Sequence, residues 1–436
     1  MRKGILFTTI LFCSLALILS FPEVRGQDSL RLEICHELLR RKAPRAADRE
    51  RLKAIAQLEM EKSSSAWKPA LNLNARASYQ SDVVAFSMEG LPFEVDLPEA
   101  PKDQYGLNLD VQQTLYDGGL VRSRKKMERA QLAADLQKVE VDLHSLKTSL
   151  NTYYFGLLLL QQNRRNLDLL RANLQSRRQM MKQAFEAGAM LGSGLKVVEL
   201  ELLKLDQQEA ELREGISTCL AAISILCDTS LAENTVLVLP EQLTRGDEPQ
   251  AGDHQVDSRP EQRWFELQEA RLEAGKALIA QKRMPILYAY GQLGYGNPGY
   301  NILGAEWDSY YLLGAGLRWN IWDWRQNRRE QAQLSEQQQM LSNRREQFEK
   351  ELELGLSVEE IRIARLETAL ITDEAILSLQ SDLASTAALQ LEEGVITAIE
   401  YVEALNEEHM ARINRDANRI KLARARTNLL TIRGEL

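Results

Sequence analysis

Two long stretches without proline constrain the fold of this chain more than any other feature of its sequence. Prolines cluster early and again in the middle of the chain, and each cluster is followed by a proline-free stretch of the same length, 102–239 and 299–436. Pro44 and Pro260 are separated by the same distance in sequence as Pro69 and Pro285. Because proline disrupts helix interiors, both stretches can hold very long helices, and the matched spacings indicate two copies of one plan.

Each proline-free stretch is predicted to form a hairpin of long helices. Residues 117–188 and 323–394 both run from an aspartate to a glycine over 71 positions, enough for about 105 Å of helix at 1.5 Å per residue. Apolar residues in the first copy step alternately by four and three, as in a coiled-coil seam: Leu132, Leu136, Val139, Leu143, Leu146, Leu150, Tyr153, Leu157 and Leu160. The seam of the second copy is looser: Leu352, Leu356, Ile363, Leu366, Leu370 and Leu377. Taken alone, these seams favour a simple coiled coil.

Alternating segments argue for more than a coiled coil. The segment 69–80 places Leu71, Leu73, Ala75, Ala77 and Tyr79 on one side and Asn72, Asn74, Arg76, Ser78 and Gln80 on the other. The second and fourth segments alternate in the same way, with Asn108, Asp110, Gln112, Arg318 and Asn320 on their polar sides. Strands of about ten residues with one apolar face match a tilted crossing of a bilayer. The third, 285–296, is less regular, since Ile286, Tyr288 and Tyr290 occupy its expected polar positions.

Tyrosine and tryptophan concentrate between residues 285 and 324, which is typical of a water–lipid interface. The alternative is the core of a soluble four-stranded sheet. That alternative is disfavoured, because a soluble four-stranded sheet would have open edges and would point Asn, Asp and Arg side chains into a dry interior. Four strands are too few to enclose a water-filled barrel, so the edges are expected to pair with other copies of the chain.

The N-terminus predicts export. Arg2 and Lys3 precede an apolar run over residues 4–19, and Val24 and Gly26 are small residues suited to a cleavage site after Gly26. Cys13 lies within the apolar run, but the bulky Phe12 before it argues against acylation. Of the remaining cysteines, Cys35, Cys219 and Cys227, the last two are about 12 Å apart along a helix, too far to bridge, so the sequence does not predict a disulfide scaffold. A net charge of −8 argues against a nucleic-acid partner.

The duplicated plan, the motifs QTLYDGG at 113–119 and RPEQRWFELQEA at 259–270, and the glycine turns FEAG and LEEG together resemble a TolC-like outer-membrane factor. The resemblance implies a mostly α protein with a transmembrane β-barrel part. It implies a homotrimer whose 12-stranded β-barrel in the outer membrane continues into a long α-helical coiled-coil barrel in the periplasm. One departure is NIWDWRQNRR, which has Trp324 and Arg325 where the family motif usually has two small residues.

The resemblance also implies the function: a passive export duct of a tripartite efflux or secretion system. Its partners would be a periplasmic adaptor, which meets the duct near the turns at Gly188 and Gly394, an inner-membrane transporter and the lipid of the outer membrane. No enzyme activity, cofactor or metal is expected. The polar strand positions Asn72, Asn74, Arg76, Asn108, Asp110, Gln112, Arg318 and Asn320 would line the barrel lumen.

Boundaries follow from the same plan. We expect a signal peptide at 1–26, a first repeat at 27–239, a polar linker at 240–258 and a second repeat at 259–436. The expected strands are 69–80 and 105–116 in the first repeat and 285–296 and 310–322 in the second. The helical hairpins are expected at 118–232 and 324–434. Ser258 and Glu261 suggest a capping box for a helix that runs from about 259 to Arg283.

Two acidic residues are candidates for a pore constriction. Glu400 and Glu403 follow Gly394 by six and nine positions, and a spacing of three puts them on one helix face. In TolC-like ducts these offsets carry an acidic ring at the periplasmic entrance. The first repeat has Gly194 at the equivalent position. A trimer would therefore carry six such carboxylates, which would raise one another's pKa and attract cations; the alternative is solvated surface charge.

Other patterns carry little weight. Gly294, Gly296 and Gly299 spell a dinucleotide-binding GxGxxG, but no helix follows, so they are expected to form a hairpin loop. The four histidines lack metal-ligand spacing. The remaining alternative to a duct is a periplasmic coiled-coil scaffold or tether that does not span the membrane.

Overall fold

A computed structural model describes residues 30–83, 100–188, 192–240, 259–301 and 306–436. The expected signal peptide, Ser258 and nearly all of the expected linker lie outside these residues. Within them the elements in chain order are α1 (Leu32–Lys42), α2 (Pro44–Ser65), β1 (Ala70–Tyr79), β2 (Asp103–Tyr116), α3 (Leu120–Glu186), α4 (Gly192–Cys227), α5 (Pro260–Gln281), β3 (Ile286–Asn297), β4 (Asp308–Arg318), α6 (Gln326–Glu392) and α7 (Ala398–Arg433).

The two repeats have the same helix lengths. Helices α3 and α6 are both 67 residues long, and α4 and α7 are both 36. Their first and last residues are offset by 206 in every case, whereas the 22-residue helices α2 and α5 are offset by 216. The difference of ten therefore arises between the first strand of each repeat and the long helix. Within the described ranges, none of the helices combines the length and the apolar composition needed to cross a membrane.

An aspartate begins each long helix in the same way. Asp117 accepts hydrogen bonds from the backbone N–H groups of Gly119 (2.9 Å) and Val121 (2.7 Å). Asp323 accepts them from Arg325 and Asn327, both at 3.0 Å. These carboxylates satisfy N–H groups that the first helical turn leaves without partners. The shared geometry explains why the sequence spacing from these aspartates to the glycine turns is equal in the two repeats.

The helices form a single layer around α3. In the half nearer the sheet, α3 packs against α2 and α5, and α5 also packs against α6. In the other half, α3 packs against α4 and α7, and α7 packs against α6. Among the described helices, α3 thus has neighbours on both sides, whereas α6 has them on one.

The apolar seam positions are buried or half-buried, with one exposed exception in α3. Tyr153 is 40% exposed, and the neighbouring Tyr154 is fully buried in its place. Tyr154 belongs to a core formed with Phe155 of α3, Cys35 of α1 and Ile223 of α4. The seam prediction assumed a single partner helix, but α1 also packs on α3 and changes which face is covered. The seam residues Leu352, Leu366 and Leu377 of α6 are buried as expected.

The four strands form one antiparallel sheet in the order β1-β2-β3-β4. Strands β1 and β4 are its open edges, so the sheet does not close on itself within the described chain. Gly294 and Gly296 lie within β3, not in a hairpin loop, because β3 continues to Asn297. Strand β4 ends at Arg318, so Asn320 follows it. Helix α5 begins without a side-chain cap, and Glu261 instead pairs with Arg259 at 2.9 Å.

Candidate channel face and hairpin tips

The polar face of the sheet is held together by a hydrogen-bond network around Asp110. The register sets Asn72 opposite Asp110 and Asn74 opposite Asn108. The side-chain amide of Asn74 donates to one carboxylate oxygen of Asp110 (2.6 Å), and that of Gln292 donates to the other (2.8 Å). One carboxylate on β2 therefore links side chains of three strands, and the network fixes the polar groups on a single face.

The remaining predicted lining residues are distributed along the same sheet. Arg76 lies opposite Gly106 in the β1–β2 register, and Gln112 lies opposite Tyr290 in the β2–β3 register. Arg318 pairs with Ile286 across β3 and β4. Its guanidinium lies 5.4 Å from the ring centre of Tyr288, within the range of a cation–π interaction. Asn320 lies beyond the strand, near the start of α6.

Tyrosines on this face lie over glycines of the neighbouring strand. Tyr288 is opposite Gly316 and Tyr290 is opposite Gly314. A Cβ atom added to either glycine would come within 2.5 Å of the facing ring, so the rings cover the space that a side chain would occupy. Sequence alternation alone treated these tyrosines as irregular. The cross-strand pairing of an aromatic with a glycine, a known stabilising device in sheets, explains them.

The opposite face of the sheet is apolar, and the described residues of a single copy leave it uncovered. Leu73 lies opposite Leu109 in the register. Several of the large apolar residues on this face are more than half exposed: Leu71, Leu73, Leu293, Tyr311, Leu313 and Leu317. Exposed aromatic residues follow β4, where the indole N–H of Trp319 donates to the carbonyl of Arg283 (3.1 Å). A continuous apolar face of this size marks a site of contact with a protein or lipid surface.

Gly188 and Gly394 end the two long helices identically. Both have left-handed backbones, with φ of 74° and 72°, a conformation that glycine adopts without strain. The N–H of Gly188 donates to the carbonyl of Phe185 (2.9 Å), and that of Gly394 donates to the carbonyl of Leu391 (3.1 Å). A Cβ atom at either position would meet no neighbour within 4 Å. Both turns are therefore open surface at the tips of the hairpins.

Glu400 closes a capping box at the start of α7. Its carboxylate accepts from the N–H (2.7 Å) and the hydroxyl (2.9 Å) of Thr397, while its own N–H donates to the Thr397 hydroxyl (3.4 Å). The backbone hydrogen bond from Thr397, followed by that of its side chain, lowers the pKa of Glu400. Within one copy this carboxylate is therefore held in its charged form. Glu403 is exposed on the same helix, and Gly194 lies within α4.

Arg177 ties the two hairpins together close to their tips, a contact that the sequence analysis missed. From α3 it forms an ion pair with Glu392, the last residue of α6. Its Nε donates to the hydroxyl of Tyr401 on α7 (3.2 Å), and its guanidinium lies 5.4 Å from that ring centre. Burial alone would lower the pKa of Arg177, but the hydrogen bonds to Glu392 and Tyr401 outweigh it and raise the pKa. One cation thus bridges three helices.

Comparisons with known proteins agree with this architecture. The family model described as outer membrane efflux protein matches residues 37–224. No curated protein sequence matches the chain at a significant level. The outer membrane protein VceC from Vibrio cholerae is 12% identical, with a TM-score of 0.65 over 92% of this chain and 96% of its own.

Two further solved structures give the same result. The CmeC outer membrane channel of Campylobacter jejuni is 14% identical, with a TM-score of 0.66 over 92% of this chain and 85% of its own. The open state of the MtrE outer membrane channel of Neisseria gonorrhoeae is 15% identical, with a TM-score of 0.66 over 93% and 89%. The expected location, in the outer membrane with a part that reaches into the periplasm, agrees with the family description. The recognition made from the sequence is thereby confirmed: the chain is similar to outer membrane efflux proteins over residues 37–224 and has the fold of TolC-like channels over 92% of its length.

Proposed function

We propose that this chain forms a homotrimeric duct through the outer membrane, which lets solutes pass passively from the periplasm to the outside. The observation that carries the proposal is the four-stranded sheet, with two open edges, an uncovered apolar face and a hydrogen-bonded polar face. Unpaired strand edges are unfavourable in lipid, so β4 of one copy is expected to pair with β1 of the next. Three copies supply twelve strands, with the polar face turned inward.

The polar face is the proposed lining of the duct. Its members are Asn72, Asn74, Arg76, Asn108, Asp110, Gln112 and Arg318, with Asn320 at the periplasmic end. Their polar side chains are suited to water on one side of the sheet, and the leucines of the other face are left to lipid. The proposed activity is passage and requires no catalytic group.

The hairpin tips are the proposed periplasmic end of the duct. In a tripartite system the open turns at Gly188 and Gly394 would meet a periplasmic adaptor, and the adaptor would connect the duct to an inner-membrane transporter. Their support is local: both glycines are exposed, and among the described residues no atom lies within 4 Å of a Cβ added to either. The first and second repeat would each contribute one turn per copy, which gives six similar contact points around a trimer.

Glu400 and Glu403 are the proposed constriction. Both are exposed on α7 close to the tip, and three copies would bring six carboxylates together near the axis. Glu400 would combine two roles, since its carboxylate also caps the helix. Arg177 would hold α3 against α6 and α7 and so restrain the tips from spreading.

Fractionation tests the location and the assembly. The full chain should separate with outer membranes and should run as a trimer in mild detergent. Recovery as a periplasmic monomer that does not sediment with membranes would overturn the duct and would support the coiled-coil tether.

Single-channel conductance tests the constriction in planar bilayers. Glu403→Ala and the double variant Glu400→Ala/Glu403→Ala should weaken block by divalent or trivalent cations. Arg177→Ala should raise conductance by releasing the tips, with Arg178→Ala as the matched control. If the double variant keeps the conductance and cation block of the parent chain, the acidic constriction is elsewhere.

A further inference from the structure

Two cysteines that are far apart in sequence meet in the core of the helical layer. Cys35 lies in α1, and Cys227 is the last residue of α4. Both are buried to within 1% of complete burial. The Cys227 thiol donates a hydrogen bond to the backbone carbonyl oxygen of Cys35 (3.6 Å), and both residues belong to one buried apolar cluster. Neither is bridged in this structure.

The cysteines lie where the N-terminal segment closes over α3. Leu30 pairs with Leu237 in an isolated parallel bridge, and the N–H of Leu30 donates to the carbonyl of Val236 (3.0 Å). The hydroxyl of Tyr154 lies 2.9 Å from the carbonyl oxygen of Leu30 and 2.7 Å from that of Val238. We call α1 together with residues 30–31 and 235–239 the belt. The belt is held to α3 and α4 by apolar packing and to α3 by the hydrogen bonds of Tyr154, His36 with Asn151 (2.7 Å) and Gln161 with Thr235 (2.7 Å).

We propose that Cys35 and Cys227 form a disulfide in the exported protein, a covalent staple that joins the belt to the end of α4. The proposal rests on the proposed location, because the periplasm sustains disulfides and the cytosol does not. A bond between these residues would close a loop that contains α2, β1, β2, α3 and α4. Loops of this length lose much conformational freedom when they are closed in the unfolded chain.

The oxidation balances through thiol–disulfide exchange. The thiolate of one cysteine attacks the disulfide of a protein dithiol–disulfide oxidoreductase and forms a mixed disulfide, and one donor sulfur leaves as a thiolate. The second cysteine then attacks the mixed disulfide, which forms the Cys35–Cys227 bond and releases the donor as a dithiol. Two electrons pass to the donor, and the two protons that the cysteine thiols lose end on the donor's two thiols. Since both sulfurs are buried in the finished fold, the exchange precedes docking of α1.

Because the exchange takes place before α1 docks, the contacts of the finished fold do not select which of the two cysteines attacks first. Cys219 is a natural control within the same helix. It faces Gly156 of α3, and burial raises its pKa with no second thiol as a cause.

Mass spectrometry of the full chain, purified from outer membranes without reductant, tests the staple. Free thiols are blocked with an alkylating agent in denaturant before digestion. We expect a linked pair of peptides that contain Cys35 and Cys227, two hydrogens lighter than the separate peptides, and an alkylated Cys219. Cys35→Ser should free Cys227 for alkylation, and Cys227→Ser should free Cys35. Cys219→Ser should leave the linked pair intact.

A second arm separates this proposal from the proposed duct. Reduced, purified protein is dialysed against a buffer of oxidised and reduced glutathione while it refolds, and the linked peptides are measured again. A trimeric membrane protein whose Cys35 and Cys227 are both alkylated before and after this treatment overturns the staple and leaves the duct standing. Linked peptides from a protein that fails to reach the outer membrane uphold the pairing and overturn the duct.

Discussion

Phe155 of α3 and Ile361 of α6 occupy the same position in the two repeats, yet their surroundings are opposite. Phe155 is 1% exposed and Ile361 is 71% exposed. The contrast extends along both helices, since α3 has roughly twice as many buried side chains as α6. The two helices have equal length and equivalent ends. The difference therefore lies in their neighbours: α3 is covered on both sides by its own chain, and α6 on one.

The uncovered side of α6 carries several large apolar residues. Ile361 and Leu379 are separated by a whole number of helical turns and so point in one direction. At 100° per residue that direction is about 140–160° around the helix from the buried Leu366 and Leu377. The exposed Leu354 and Leu383 continue the same side. Apolar residues on two opposite sides allow α6 to pack against two neighbours. We expect the second neighbour to be another copy of the chain.

The largest effect is expected from placing charges on this uncovered side. The double variant Ile361→Glu/Leu379→Glu should prevent trimer formation. It removes two apolar contacts worth about 1.5–3 kcal/mol each and would bury carboxylates in every interface. Trimer content in detergent, measured by light scattering, checks this. Ser378→Glu is the control, because Ser378 is exposed on a different side of α6. A trimer that survives the double variant would place the second neighbour elsewhere.

A cation on the apolar face of the sheet should have the next largest effect. Leu73→Arg should reduce assembly into membranes because a cation near the middle of a bilayer costs about 2–4 kcal/mol. Asn74→Arg, one residue later on the polar face beside Asp110, should assemble almost normally. The yield of folded trimer in the outer-membrane fraction measures both. Equal losses would mean that the two faces are wrongly assigned.

The junctions between strand and helix offer a smaller test of the same comparison. Gly118 has φ of 66° and the equivalent Trp324 has φ of 50°, but a Cβ atom at Gly118 would overlap the Cβ of Met284. Gly118→Ala should therefore destabilise the chain by more than the roughly 1–2 kcal/mol of a left-handed backbone alone. Gly188→Ala, at an equally left-handed but open site, should cost only that amount.

Replacing Trp324 by glycine should stabilise the chain instead of destabilising it. Trp324→Gly relieves the left-handed strain and should raise the midpoint of unfolding by an amount equivalent to at most about 1 kcal/mol. Denaturant unfolding in detergent measures all three variants. If Gly118→Ala and Gly188→Ala are equally destabilising, the close approach of Met284 does not restrain the first junction.

The smallest effect concerns pH at the hairpin tips. The pKa of Glu400 is lower in the fold than its ordinary value of 4.5, so its cap stabilises α7 above that value. This contribution is lost as the pH falls through the lowered pKa. The protection of the amides of residues 398–401, measured as their exchange relative to the intrinsic rate at each pH, should therefore fall in acid. Residues 192–195 are the equivalent positions in the first repeat, which has Gly194 in place of Glu400, so their amide protection should show no such loss. Glu400→Gln should abolish the acid-dependent loss of protection in α7. If protection is still lost in acid in Glu400→Gln, another group is responsible for the titration.

Periodic features of this fold were predictable from the sequence, whereas contacts between distant segments were not. Alternation predicted the two faces of β1, because the pleat of an extended backbone sets them. Equal spacing from Asp117 and Asp323 predicted equal helices, because helical hydrogen bonds join residues four apart. Side-chain positions that depend on several neighbouring segments could not be predicted in this way. The register of β3 and β4 was needed to see why Tyr290 lies on a polar face. The Arg177–Glu392 tie joins two helices that are distant in sequence, and no local pattern marks such a pair.

Tyr288 and Tyr290 have a consequence for the size of solute that the duct would admit. Each ring lies along the wall over a glycine of β4 instead of projecting from it, so a large side chain narrows the bore by little more than its own thickness. An alanine at Gly314 or Gly316 would displace the ring that covers it and tilt it toward the axis. The glycines of β4 would thus set the width of the bore, and a single methyl group at either position would narrow it at that level.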